Sequence, residues 1–303
     1  MSQTTDPTTA PPITPPRKPT RSARPYRVGE SRVIVKAATY LALILAATVY
    51  IFPFLIEIGT AFKTDADATA NPLNPIPHTW TTAAFHQLAQ VDFPLWFANS
   101  AIVAICVTAG RVFFDSLAGY ALARLRFRGR SALFSALVAV LAVPGVVLLI
   151  PKFLVLNQLH LYDSYSGMII PLIGDAAGVF IMKQFFESIP VSVEEAAHID
   201  GAGTFRTFWS VVLPMARPAL ITLTILSFQG SWNELAHFIV SRQNPRLNTL
   251  TSGVATLVSG QLGKGNQYPL KLAAALLMTI PVAVLFFVFQ RYIMRSSEGA
   301  VKE

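Results

Sequence analysis

Six stretches of the chain stay apolar long enough to cross a bilayer: residues 37–60, 95–121, 132–156, 167–187, 218–240 and 270–291. A helix rises about 1.5 Å per residue, so roughly 20 apolar residues span the hydrocarbon layer. Backbone inside lipid finds no water to bond with, which makes helices the form such runs take. The pattern therefore predicts an all-α polytopic membrane protein with six transmembrane helices. Residues 1–32 show no hydrophobic periodicity and are rich in Pro, Thr and basic side chains. They read as a disordered tail that leaves 33–303 as one transmembrane domain.

Composition strengthens this reading. Only 13% of residues are charged, against roughly 25% in soluble domains. The net charge of +8 could by itself suggest nucleic acid, but its distribution does not. If the N-terminus lies inside, seventeen Lys and Arg fall on the cytoplasmic side, including Arg124, Arg126, Arg128 and Arg130 in the second-to-third loop. Six fall on the other side: Lys63, Lys152, Arg242, Arg246, Lys264 and Lys271. That asymmetry places both termini in the cytoplasm and accounts for the charge without nucleic acid. Cys106, alone in the chain, excludes an intrachain disulfide, and its apolar neighbours suggest a buried thiol.

The connection between the fourth and fifth runs, about 190–214, carries the strongest signal. Pro190 stops the fourth run. Ser192 and Glu195 have capping-box spacing, which predicts a short helix starting there. Gly201 predicts its end, since glycine tolerates left-handed backbone angles. A second short helix carrying Phe205, Phe208 and Trp209 is expected to stop before Pro214. Such a helix–turn–helix suits docking into a cleft of a soluble partner; by spacing alone an interfacial helix lying on lipid fits as well.

Glu195-Ala196-Ala197, three residues, Gly201, nine residues, then Val211-x-Leu213-Pro214 resembles the EAA loop of binding-protein-dependent ABC importers, with Asp200 preceding the glycine as usual. The resemblance covers residues 33–303 and is nearest to the carbohydrate-type permeases, specifically the maltose-type second permease. Asn99-Ser100, Ala118-Gly119-Tyr120-Ala121-Leu122-Ala123-Arg124, Trp232-Asn233-Glu234 and Gly299-Ala300-Val301-Lys302 are similar to that group. The resemblance implies a multi-pass permease of the bacterial inner membrane with no catalysis of its own. Its EAA helix would be a coupling helix seated in an ATPase groove, with Glu195, Ala196, Ala197, Asp200, Gly201, Leu213 and Pro214 as the coupling residues. It also implies a second homologous permease, two ABC ATPases that bind ATP and Mg, a solute-binding protein outside, and a sugar as solute. A polyol or a glycerol-phosphate compound is the alternative. The run Ser259 to Lys264 lacks the glycine spacing of a phosphate loop, so nucleotide chemistry must come from another chain.

Charged groups within spans face a bundle interior or a water-filled path. Arg111 and Asp115, four apart on one face, predict an intrahelical ion pair. Gln229, Trp232, Asn233 and Glu234 cluster in the fifth run, with His237 one turn beyond, and supply the hydrogen bonds and ring face that a sugar uses. The competing role for this cluster is polar contact between helices. Asp175 is a further path candidate, although Gly174 and Gly178 around it suggest close packing. The five histidines show no metal spacing, so no metal is expected. Trp80 and Trp96 read as an interfacial belt beside a proline-rich external loop. A gradient-driven transporter using Asp115, Asp175 and Glu234 as proton carriers is the competing class; no inverted repeat supports it.

Overall fold

The computed structural model describes residues 29–258 and 267–299. The predicted tail through residue 28, the run from Ser259 to Lys264 and the end of the chain from Ala300 lie outside the described residues. The chain divides into two compact units, Met1–Phe52 and Pro53–Glu303. The first unit's described part is the start of helix α1 (Gly29–Ala61), whose side chains from Val35 to Phe52 are exposed. Pro53 removes one backbone bond within this helix, and the division falls beside it.

The second unit continues through α2 (Asp65–Ala70), α3 (Ala83–Gln90), α4 (Phe93–Arg124), α5 (Arg130–Leu141), α6 (Leu149–Gln158), α7 (Tyr165–Ile169) and α8 (Ala176–Ser188). It then forms α9 (Val191–Ile199), α10 (Thr204–Thr207), α11 (Leu213–Met215), α12 (Arg217–Trp232), α13 (Ala236–Ser241), α14 (Leu250–Val258) and α15 (Tyr268–Gly299). Among the described residues there is no strand, as the unbroken apolar runs require.

Helix α4 organises the unit. Its 32 residues make a rod about 48 Å long. Three buried clusters succeed one another along it. Phe93, Trp96 and Ala104 pack with Ala61, Leu88, Trp232, Leu250 and Ala273. Val103 and Val107 pack with Met168, Leu172 and Phe238. Tyr120 and Ala123 pack with Met182, Phe186, Phe208, Val212 and Ala219. Small residues bring the backbones together. A Cβ on Gly119 would lie 2.7 Å from the Met182 Cβ and 2.9 Å from the Lys183 nitrogen, and one on Gly178 would strike the Asp115 carboxylate.

The six runs are present as helix, but not as six straight rods. Four stretches are long and apolar enough to span without a sharp bend: Val35–Ala61, Phe93–Arg124, Tyr165–Ser188 and Tyr268–Gln290. The third run bends by 101° between Arg130–Leu141 and Gly145–Gln158, and the fifth is preceded by an 80° bend between Thr204–Met215 and Arg217–Trp232. Six crossings result if each bent pair makes one. Pro144, extended at ψ 129°, explains the first bend, because proline forces both itself and its predecessor away from helical continuation. The fifth run also opens at Asn233–Leu235 before α13 resumes, so the expected continuous helix over 218–240 is corrected to two pieces.

Three local expectations change as well. Cys106 is exposed, on the α4 stripe that also shows Ile102, Ile105 and Phe113. Trp96 is buried against Phe93 and the Gly253 backbone instead of joining a belt with Trp80, which is exposed. Among the described residues Arg111 and Asp115 form no ion pair. Arg111 Nε donates to the Leu172 carbonyl at 2.7 Å, and the Asp175 N–H donates to Asp115 Oδ1 at 3.0 Å. Both charges serve backbone groups freed where the fourth span breaks between a 3-10 turn at Ile170–Leu172 and α8. Asp175 caps α8 by accepting from the Gly178 N–H at 3.3 Å.

Candidate functional site: a docking element at one end of the bundle and a polar break within it

The 190–214 segment sits at the Tyr120–Arg124 end of α4. Helix α9 begins at Val191, with Pro190 as its N-cap at φ −57° and ψ 134° and no side-chain cap bond. The expected capping box is thus not formed: proline's fixed φ starts the helix two residues early, and Ser192 falls inside it. The end is as Gly201 predicts. Gly201 has φ +80°, its N–H donates to the His198 carbonyl at 3.0 Å, and the Ala202 N–H reaches back to the Ala197 carbonyl at 2.9 Å. This pair of bonds is a Schellman closure, which needs a left-handed residue.

The second helix does not stop before Pro214. It runs Thr204–Thr207, widens to a π-turn over Phe208–Val212, and closes as Leu213–Met215. The wide turn eases the clash between the proline ring and the carbonyl four residues earlier.

One face of this element is held and the other is free. Glu194, Ala197, Thr207 and Phe208 are buried. Glu194 is the residue the sequence pattern passed over: its Oε1 lies 2.8 Å from Arg124 Nε, and its Oε2 accepts from the Tyr120 hydroxyl at 3.2 Å. Arg124 also donates to the Phe186 carbonyl at 2.7 Å and to the Ile189 carbonyl, which closes the C-terminal end of α8. One guanidinium therefore ties α4, α8 and α9 together. Tyr120 and Arg124 stood out only as part of a resemblance; a glutamate directly before the EAA glutamate was the signal for their partner.

On the free face, Glu195, Ala196, Asp200, Gly201 and Pro214 are exposed and Leu213 is half-buried, while Ala197 turns inward. Ile199 is 86% exposed and Phe205 71%. Phe205 stacks on the exposed Trp209 with ring centres 6.4 Å apart. Single exposed apolar groups are common, but this many on one short element mark an interaction surface for protein or for membrane.

The polar cluster of the fifth run divides. Gln229 and Asn233 are exposed, one turn apart, at the end of α12. Trp232 is 2% exposed, stacks on Phe228 with centres 5.4 Å apart, and donates from Nε1 to the Met278 carbonyl at 3.1 Å. His237 is 1% exposed, with Nε2 3.2 Å from the Met168 carbonyl. Glu234 is half-buried and accepts from the His237 N–H at 2.9 Å. The break thus presents two amides outward and turns its ring systems into the packing.

The other end of the bundle is knotted by polar side chains. Asn99 Nδ2 donates to the Arg246 and Asn248 carbonyls, both at 2.8 Å, and the Leu250 N–H donates to Ser100 Oγ at 2.8 Å. Buried Lys63 donates to the Asn71 and Asn74 carbonyls. The Asp163 carboxylate accepts from the Asn244 and Gln243 N–H groups, each at 2.8 Å. Those bonds, Asn244's first, with Arg242 adding its positive charge, hold this carboxyl below its usual range.

Residues 115–298 match the family described as binding-protein-dependent transport system inner membrane component. The chain is 30% identical over 263 residues to the sn-glycerol-3-phosphate transport system permease protein UgpE of Yersinia pestis bv. Antiqua (strain Antiqua), covering 84% of this chain and 93% of that protein. It is 34% identical over 257 residues to the sulfoquinovosyl glycerol transport system permease protein SmoH of Agrobacterium fabrum (strain C58 / ATCC 33970), covering 83% and 89%. Identity to the arabinooligosaccharides transport system permease protein AraQ of Halalkalibacterium halodurans is 31% over 261 residues, covering 84% and 92%. The fold is similar to a chain in the crystal structure of a bacterial ABC transporter involved in the import of the acidic polysaccharide alginate, with TM-score 0.77, 24% identity, and coverage of 87% of this chain and 98% of that one. The chain belongs to the binding-protein-dependent transport system inner membrane components, the membrane-embedded permeases of ABC importers.

Proposed function

We propose that this permease carries a sugar or a related polyhydroxylated solute, a polyol or glycerol-phosphate compound included, and that the α9–α10 element is its coupling device. What carries the reading is the free apolar face of that element, fixed by Arg124 and Glu194 to the end of α4. In this reading Glu195, Ala196, Ala197, Asp200, Gly201, Leu213 and Pro214 form or support the surface seated on an ABC ATPase, which binds ATP and Mg. Both termini are cytoplasmic, on the side where the basic loops accumulate. A second homologous permease completes the path, two ATPases drive it, and a solute-binding protein delivers the solute at the opposite face.

Gln229 and Asn233 contact the passing solute through their amides, with Glu234 behind them. Exposed amides within an apolar span call for a water-filled path or a polar partner instead of lipid. Trp232 and His237 hold the break in shape from within the packing. The solute class follows the relatives, which are named for glycerol-phosphate, sulfoquinovosyl glycerol and arabinooligosaccharide transport.

Mild-detergent purification of the tagged chain from its native membrane, followed by mass spectrometry, tests the assembly. An ATPase, a second permease and a binding protein are expected to co-elute. A chain that emerges alone across several detergents refutes the assembly and revives a gradient-driven carrier.

A further inference from the structure

The turn between α4 and α5 encloses a groove of about 660 Å³ that the transport reading leaves without a role. Phe127, Gly129, Arg130, Ser131, Phe134 and Lys183 line it. Its floor is polar: Lys183 is only 8% exposed, and its ammonium sits 2.8 Å from Glu187 Oε1 and 4.1 Å from the centre of the Phe134 ring. Arg130 reaches the same carboxylate at 3.6 Å and the Ala123 carbonyl at 3.0 Å. Its walls are aromatic, with Phe134 stacked on Phe180 at 6.1 Å between centres.

Charge and position together select the occupant. Two cations face one carboxylate, so the groove keeps a positive excess, and exposed Arg128 lies in the chain between the lining residues Phe127 and Gly129, with exposed Arg126 just before them. It opens between the end of one apolar helix and the start of the next, which places it at the boundary of lipid and water whichever leaflet that is. A ligand there must offer an anion to the floor and a chain to the phenylalanines. We infer that the groove is a binding site for an anionic phospholipid, with the phosphate between Lys183, Arg130 and Ser131 and an acyl chain along Phe127 and Phe134. A zwitterionic lipid brings its own cation into a basic site and fits less well.

Native mass spectrometry of the assembled transporter tests this, titrated with phosphatidylglycerol, with phosphatidylcholine of the same acyl chains, and with inorganic phosphate. Phosphatidylglycerol is expected to be retained over phosphatidylcholine. Arg128→Gln should weaken its retention about fivefold, the effect of one basic residue near an anionic headgroup. Lys183→Met should weaken it further. If Lys183→Met fails to assemble, Arg128→Gln, on an exposed side chain, decides alone. Equal retention of the two lipids overturns the proposal, as does phosphatidylglycerol retention unchanged by Arg128→Gln. Displacement of the lipid by millimolar inorganic phosphate would show a site for a soluble anion and overturn it too. So would retention by the isolated chain but not by the assembled transporter, because a partner subunit would then own the face.

Discussion

Replacing Glu194 by alanine should release the coupling helix from the bundle while leaving the spans in place. The carboxylate makes an ion pair at 2.8 Å with Arg124 and accepts from Tyr120, and both of its partners are largely withdrawn from water. Removing one member of a buried pair costs roughly 3–5 kcal/mol when the other is stranded. Arg124 is not fully stranded, because the Phe186 and Ile189 carbonyls still accept from it. Two retained bonds, each worth about 1 kcal/mol, reduce the loss to roughly 1–3 kcal/mol. A loss of that size shifts the equilibrium between docked and undocked α9 by about 5- to 150-fold. Two measurements on the reconstituted transporter follow: solute uptake and ATP hydrolysis. Uptake should fall steeply while basal hydrolysis persists, because the ATPases remain but their motion no longer reaches α4. The double replacement Arg124→Met with Glu194→Leu should recover part of the thermal stability lost in Glu194→Ala, since apolar groups of similar size leave no stray charge, although the Phe186 and Ile189 carbonyls lose their donor. Wild-type uptake and melting in Glu194→Ala would refute the argument. A double variant less stable than the single one would show that the pair, and not the burial, holds the helix.

Gly201→Asp should abolish uptake with the protein still inserted: no atom lies within 4 Å of the Cβ position, and the left-handed angle costs only about 1–2 kcal/mol. Unchanged uptake would remove the coupling role from this turn. Asn233→Ala, at an exposed position, should change uptake affinity or rate while melting stays within about 0.5 kcal/mol; wild-type kinetics across sugars and polyols would clear it from the path. Asp163 gives a pH dependence. Its carboxyl titrates below the usual value of about 3.9, so the tether to Gln243 and Asn244 is complete above that pH and is lost as pH falls through the lower, folded value. Amide exchange at Gln243 and Asn244, taken relative to the intrinsic rate at each pH, should stay slow at the usual carboxylate value and quicken only as pH falls through the lower, folded one. It should be fast at all pH in Asp163→Ala, and slow exchange in that variant would contradict the tether.

Hydropathy made the helical runs legible because length and apolarity are all that a bilayer asks of a span. It carries no direction, so the 101° bend after Leu141 was marked only by Pro144-Gly145, and the opening at Asn233–Leu235 by nothing but a polar cluster. The turn after α9 was legible at Gly201, where one backbone angle requires one residue type. Its start was misread because Ser192 and Pro190 both offer a cap and the rigid residue comes first. Spacing paired Arg111 with Asp115, yet each found a backbone partner in another span, and sequence spacing within one helix cannot reveal what a neighbouring helix offers. For the same reason Trp232 and His237 could not be told from Gln229 and Asn233: all lie in one polar stretch, and only packing decides which of them turn inward.

Helix α4 also sets a mechanical scale. It is continuous from Phe93 to Arg124 and contains no proline after its first turn, so it resists bending. One end is locked to the coupling element and the other to the segment near Asn248 and Leu250. A rigid rod of that length, pivoted by about 10° at its Arg124 end, carries its Phe93 end through roughly 8 Å. That is the width of a sugar ring and more. If the α9–α10 turn is the coupling device proposed above, a small rotation imposed there would be geared into an aperture change at the opposite end of α4, with the stiffness of one helix as the gear.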